Sequence, residues 1–205
     1  MLKPTSHHPA DESLVARAQQ GDDRAFAKLV KQYEQVVYGF AFKVCRDPAK
    51  AEETLQDTFI NVYKKLKQFD GRSKFSTWLY SIVVNNCLMK RRRGKLQRAL
   101  LSIDSPEGFR DDPLTDEAGQ IIQTVPSWKE TPLDSVITDE LKSVLDKSIL
   151  ALPMEYRIVF ILRDVEGHTA EEVAKILKLS VSAVKSRLRR ARMFLREQLH
   201  PYMKT

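Results

Sequence analysis

The chain has 205 residues, 42% of them hydrophobic and 30% charged, with a formal net charge of +7 at pH 7; this is the composition of a soluble globular protein of one or two domains. Only seven glycines and nine prolines are present, and apolar residues recur at spacings of three and four, so an all-α fold is expected. There is no run of eighteen apolar residues to span a membrane, and no apolar core followed by a small-residue cleavage site, which makes the cytoplasm the expected compartment.

Residues 1–10, with His7 and His8 beside Pro9, read as a disordered tail. Asp11 to Gln20 predicts a short helix stopped by Gly21. A longer helix follows, with Phe26, Leu29, Val30, Tyr33, Val37, Phe40 and Val44 at helical spacing, and Asp47-Pro48 ends it. The third helix, Ala49 to Leu66, has the apolar stripe Leu55, Phe59, Val62 and Leu66, which leaves Glu52, Glu53, Gln56, Asp57 and Asn61 facing outwards. Carboxylates near a helix N-terminus are stabilising on their own, so this acidic face is either a complement to the helix dipole or a docking surface.

From Phe69 to Arg93 the chain reads as a glycine-bearing loop followed by a helix that ends in the four cations Lys90 to Arg93. Leu79, Ile82, Val83 and Asn86 form its inward stripe, so Trp78 and Tyr80 need not be core residues. Phe69, Phe75, Trp78 and Tyr80 are interleaved with Arg72 and Lys74. Stacking an unpaired base on such a face is worth roughly 1–3 kcal/mol, comparable with the few kcal/mol needed to unstack it. The loop therefore suits capture of a base extruded from duplex DNA, although packing is the simpler role for any single aromatic.

Residues 96–132 are the expected linker. Between Ala99 and Asp134 there are eight acids and two bases, a net of −6 that leaves +13 on the rest of the chain. Pro106, Pro113, Pro126 and Pro132 also break any helical period. The linker divides the chain into a first domain at 11–95 and a second at 133–199, with a short tail at 200–205.

The second domain carries the clearest motif. Thr169 can cap a helix while Glu172 bonds back to the cap, and Ser180 can cap the next helix. Val184, Leu188, Ala191 and Leu195 make one buried stripe, with Ser182, Ser186, Arg189, Arg190 and Met193 facing away from it. Six cations and no acid lie between Ser180 and Arg196. Two capped helices around a tight turn, the second strongly basic, form a helix-turn-helix facing a phosphate backbone. Cys45 and Cys87 stand apart from any metal or redox spacing and read as buried structural thiols, and the histidines form no cluster. No metal or cofactor is expected.

The segments Ala51-Glu-Glu-Thr-Leu-Gln-Asp-Thr-Phe59, Phe75-Ser-Thr-Trp-Leu-Tyr80, Leu152-Pro-Met-Glu-Tyr-Arg-Ile-Val-Phe160 with Glu166-Gly167, and Val184-Lys-Ser-Arg-Leu-Arg-Arg-Ala-Arg192, in this order and separation, resemble the sigma-two and sigma-four domains of extracytoplasmic-function sigma factors. These are the small dissociable promoter-recognition subunits of bacterial RNA polymerase. The resemblance implies two helical domains, no enzymatic activity and a role in stress-responsive transcription initiation. Glu52, Glu53, Gln56, Asp57 and Asn61 would dock on the clamp helices of the polymerase largest subunit. Arg72, Lys74, Trp78, Tyr80, Asn85, Lys90, Arg91, Arg92 and Arg93 would read and melt the −10 element. Ser182, Ala183, Lys185, Ser186 and Arg189 would lie nearest the −35 bases, with Arg187, Arg190 and Arg192 on phosphates. An anti-sigma protein is an implied partner, and the free chain is expected to be a monomer. Lys178 stands where family members commonly have glycine, and a left-handed residue there costs about 1–2 kcal/mol.

In this family the two elements lie about 25 base pairs apart, roughly 80 Å of duplex. A free linker coil of about 36 residues spans only roughly 35 Å, against on the order of 120 Å fully extended. Polymerase would hold the linker taut, its negative charge seated in a cationic groove of the enzyme. Two rivals differ in class. A free-standing helix-turn-helix regulator would bind a palindrome as a dimer without polymerase. A nucleic-acid-processing enzyme would need clustered metal-binding carboxylates or an activated nucleophile, which the spacing of acids does not offer.

Overall fold

The computed structural model describes residues 9–101 and 139–202, and among them there is no strand. The acidic segment expected to thread polymerase falls almost wholly outside the described residues. The first module contains α1 (Pro9–Gln19), α2 (Asp23–Cys45), α3 (Pro48–Lys65), a 3₁₀ turn at Leu66–Gln68 and α4 (Phe75–Leu101). The second contains α5 (Asp139–Ala151), α6 (Met154–Phe160) continuing into a π turn at Ile161–Val165, α7 (Ala170–Leu177), α8 (Val181–Leu199) and a 3₁₀ turn at His200–Tyr202.

Local chemistry sets the boundaries. Gly21 takes φ +91° between α1 and α2, a conformation open to glycine because it lacks Cβ. Asp22 then caps α2 by accepting from the Ala25 amide at 3.0 Å. Asp47 accepts from the Lys50 amide at 3.1 Å to start α3, with Pro48 in the first turn, where its missing N–H costs nothing. The helix expected to stop at Arg93 instead runs on to Leu101. Gly94 costs the helix about 1 kcal/mol, but the Lys, Leu, Gln, Arg and Ala that follow it are good helix formers and no proline stops it.

The first core gathers Leu29, Tyr33, Val37, Phe40 and Val44 of α2 with Val62 of α3 and Leu79, Val83 and Cys87 of α4. Each fully buried side chain of the Val, Leu or Phe class contributes roughly 1.5–3 kcal/mol. The stripe of α3 is rotated from the expected one. Ala51, Thr54, Thr58 and Val62 are buried, while Leu55 and Phe59 are only partly so. Thr54 and Thr58 tolerate complete burial because their hydroxyls donate to the Lys50 and Thr54 carbonyls, both at 2.7 Å, which leaves their methyl groups to pack.

In the second module Val184, Leu188, Ala191 and Leu195 are buried as the spacing predicts, with Thr169 and Ser180 as caps. Met193, expected to face outwards, is buried instead in a second cluster with Ile149, Leu152 and Tyr156. The reason is tertiary: α5 and α6 cover a further side of α8, so its distal half is enclosed on more than one face.

Candidate nucleic-acid interface

The reader helix α8 is held by two capping arrangements. The Glu172 amide donates to Thr169 Oγ1 at 3.1 Å and the Thr169 amide to Glu172 Oε2 at 3.0 Å, a reciprocal box at the start of α7. The Ala183 amide donates to Ser180 Oγ at 3.1 Å at the start of α8. Between the helices Lys178 adopts φ +54°, the left-handed conformation anticipated for that position. Ser182, Lys185, Ser186 and Arg189 are exposed along one side of α8, while Ala183 and Arg187 are half-buried. Two cations expected on phosphates have protein partners. Arg190 donates to the Tyr156 hydroxyl at 3.2 Å, and Arg192 makes a two-pronged bond to Asp164 at 2.8 and 2.6 Å, which raises the Arg192 pKa.

In the first module the loop before α4 is a built structure. The Asp70 carboxylate accepts from the Arg72 amide at 3.1 Å and also pairs with the Arg72 guanidinium, and both hold its pKa below the usual range. Gly71 takes φ +72° beside it. Gln19 of α1 donates to the carbonyls of Leu66 at 2.9 Å and Phe69 at 2.7 Å, pinning the loop from behind. Together α1 and this loop enclose a cleft of about 450 Å³, lined by Asp11, Glu12, Gln19, Asp70, Lys74 and Phe75 among others; that volume lies in the range of small-ligand sites. Phe69 and Phe75 line it, and Trp78 packs against both, with ring centroids 5.2–5.8 Å apart among the three. Phe75 is core, Trp78 is half-buried and Arg72 is the most open of the loop cations.

The remaining expected −10 readers divide by exposure. Asn85 and Arg92 are exposed and Arg91 is half-buried, while the Arg93 side chain lies outside the described residues. Lys90 is turned to α3, where its ammonium lies 3.1 Å from Glu53 and 3.0 Å from Asp57. Glu52, Glu53 and Gln56 are exposed on α3. Asn61 donates instead to Asn86 of α4 at 3.0 Å, and Asn86 in turn donates to the Thr58 hydroxyl at 3.1 Å. Ile60 and Tyr63, which no stripe singled out, are 51% and 59% exposed on the same helix. They add apolar surface to the polar face expected to dock.

Tyr80 corrects the sequence reading most sharply. It is 4% exposed, because the second module covers it. Its hydroxyl donates to Glu166 at 3.0 Å, the same carboxylate accepts from Lys43 at 2.6 Å, and the His168 ring meets the tyrosine ring edge-on at 4.5 Å. Around this point Lys74 pairs with Glu172 at 3.1 Å, Arg157 donates to the Val44 carbonyl at 2.8 Å, and Arg46 pairs with Asp146. Burial, aided by Glu166, pushes the Tyr80 phenol pKa upwards. Glu166 and His168 are thus contact residues between modules. Their only sequence signal is a short Glu-Gly-His run between helices. Among the described residues no group of His, Cys, Asp and Glu could hold a metal ion, and no helix is long and apolar enough to cross a membrane.

Comparison with known proteins gives one family for both modules. Residues 29–97 match the family model for sigma-70 region 2, and residues 143–195 match that for sigma-70 region 4. The RNA polymerase sigma-H factor of Pseudomonas aeruginosa is 32% identical over 197 residues, covering 95% of this chain and 96% of that protein. The ECF RNA polymerase sigma factor SigW of Bacillus subtilis is 30% identical over 186 residues, 90% of this chain and 94% of its own length. Among solved structures, CnrH in complex with the cytosolic domain of CnrY superposes with a TM-score of 0.60 at 26% identity, covering 94% of this chain and 98% of that one.

Proposed function

Since this chain belongs to the extracytoplasmic-function sigma factors of bacterial RNA polymerase, we propose an assignment of its surfaces to the steps of initiation. The protein is a non-enzymatic initiation factor that binds core polymerase and directs it to specific promoters. In our reading the first module, residues 11–95, binds polymerase through Glu52, Glu53, Gln56 and the surrounding face of α3, and reads the −10 element from the loop at 70–74 and from α4. The second, residues 133–199, reads the −35 element with Ser182, Ala183, Lys185, Ser186 and Arg189. The protein acts in the cytoplasm, where polymerase works, and an anti-sigma protein holds it inactive.

One observation carries this reading. Two separate modules, each matching its own sigma region in the proper order, present a capped cationic reader in one and an aromatic-rimmed cleft beside a basic helix in the other. The cleft supports base capture: its lining acids can accept from exocyclic amino groups, and its aromatics offer stacking faces. The contact between modules supports a second feature. With Tyr80 covered and Lys74 paired to Glu172, the two readers share one body and cannot straddle roughly 80 Å of duplex. Binding to polymerase therefore separates them, and the linker spans the gap. A dimeric regulator is not favoured, because its operator binding would need no second reader.

The test is reconstitution. Purified chain is added to core polymerase on promoter DNA, with specific transcripts and permanganate-reactive thymines as readouts. Specific initiation with melting only when both proteins are present supports the assignment. Strand opening by the chain alone, or no association with polymerase, overturns it.

A further inference from the structure

Arg192 lies on the cationic face of α8 but is not free to meet a phosphate. Lys185, Arg189, Arg192 and Arg196 recur at spacings of three and four along the helix, so they fall within an arc of about 60°. Arg192 stands about 4.5 Å along the axis from Arg189. Its charge is met from inside the protein, where its Nε and Nη2 donate to the two carboxylate oxygens of Asp164 at 2.8 and 2.6 Å.

Asp164 is an acceptor held in place. It belongs to the π turn at Ile161–Val165, where the Glu166 amide donates to the Ile161 carbonyl at 2.8 Å and the His168 amide to that of Leu162 at 3.0 Å. Ile161 and Leu162 are buried, and the Arg163 guanidinium donates to the His168 carbonyl, so the backbone around Asp164 is anchored on both sides. Single π turns within helices recur at functional sites. From this one Asp164 reaches α8, 28 positions on, while Glu166 reaches Tyr80 of the first module.

Building on the assignment of α8 to the −35 element, we propose that Asp164 is a specificity-determining residue that acts through Arg192: the fork keeps Arg192 off the phosphate backbone and fixes the roll of α8 against the end of α6. The two effects on binding have opposite signs. A free arginine on this face would add a phosphate contact on any sequence, raising non-specific affinity along with specific affinity. A bidentate arginine–carboxylate pair sets direction as well as distance, and here it holds the neighbouring Arg189 in one orientation towards the bases. Asp164 is therefore a positioning residue, which lowers affinity for every duplex and sharpens the choice between them.

The experiment follows fluorescence anisotropy of the full-length chain with a −35 duplex and with a scrambled duplex of equal length, at several salt concentrations. Asp164→Asn, nearly isosteric, should steepen the dependence of log affinity on log salt by about one on both duplexes and bind the scrambled one several-fold more tightly at low salt. Its preference for the −35 duplex should fall about fivefold, the worth of one well-aligned, partly exposed ion pair. Combining Asp164→Asn with Arg192→Gln removes both charges, and should return the salt slope to that of the parent while the preference stays low. A pair that served stability alone would behave otherwise, since its loss would weaken binding to both duplexes together and lower the melting midpoint. The proposal is overturned if Asp164→Asn leaves the salt slope unchanged or if preference survives in both variants. It is also overturned if the double variant is shallower than the parent by about one, which would put Arg192 on a phosphate in the parent complex. A parent chain with no preference between the duplexes overturns the assignment of α8 itself, and this proposal with it.

Discussion

Replacing Glu166 with alanine tests the contact between modules at its centre. In the closed arrangement Glu166 accepts from the buried Tyr80 hydroxyl and from Lys43. Removing it leaves the phenol without that acceptor, at a cost of about 1–3 kcal/mol. The Lys43 pair, with side chains 35% and 15% exposed, contributes roughly 0.5 kcal/mol more after solvent screening. Neither loss is felt once the modules part and both groups meet water. The balance therefore shifts towards the open form by about 1.5–3.5 kcal/mol, or roughly 10- to 400-fold. Single-molecule energy transfer between dyes placed at Lys28 on α2 and Glu171 on α7, both exposed, reads this directly. Glu166→Ala should move molecules from high to low transfer efficiency, and Glu166→Gln, which keeps an acceptor for the phenol, should move fewer. Identical distributions for Glu166→Ala and the parent would refute the reasoning.

Three further outcomes are expected. Lys178→Gly relieves the left-handed strain and should raise stability by about 1 kcal/mol, seen as a higher melting midpoint; a lower one contradicts the strain argument. The pKa of His168 is depressed, chiefly by burial and against the pull of Glu172 and Glu166, so the neutral ring is the form that packs on Tyr80. Its stabilising contribution is complete above about pH 6.5 and is lost as pH falls through the lower folded value. The open population should accordingly grow on acidification, and His168→Phe should flatten that profile. Arg189→Ala should cost roughly 1–3 kcal/mol on a −35 duplex and relax base preference there, whereas Arg187→Ala should weaken all sequences alike and reduce the salt slope by about one. Titrations at several salt concentrations separate the two patterns.

The features readable in advance were those written in neighbouring residues. Thr169 with Glu172, Ser180 with Ala183, and the Val184 to Leu195 stripe are local rules of one helix, and each is realised. Long-range contacts escaped. Met193 lies on the side of α8 opposite its first stripe and is buried because α5 and α6 arrive from far upstream. Tyr80 looked available on the periodicity of α4, yet Glu166 and His168 cover it from 86 and 88 positions away. Thr54 and Thr58 sit among charged neighbours and give no hint of burial until their hydroxyls are seen to bond within the helix.

The placement of Lys90 ties two surfaces that the chain otherwise keeps apart. Its ammonium is shared by Glu53 and Asp57, acids on the helix we assign to polymerase, while its own helix is the one we assign to the promoter. A protein ligand that engages those carboxylates competes for them and releases a cation to a phosphate. A phosphate that takes the cation leaves the acids readier for the protein. Thermodynamic reciprocity makes the two effects equal in size, so on that assignment the enzyme and the template would each strengthen the other's hold through a single side chain.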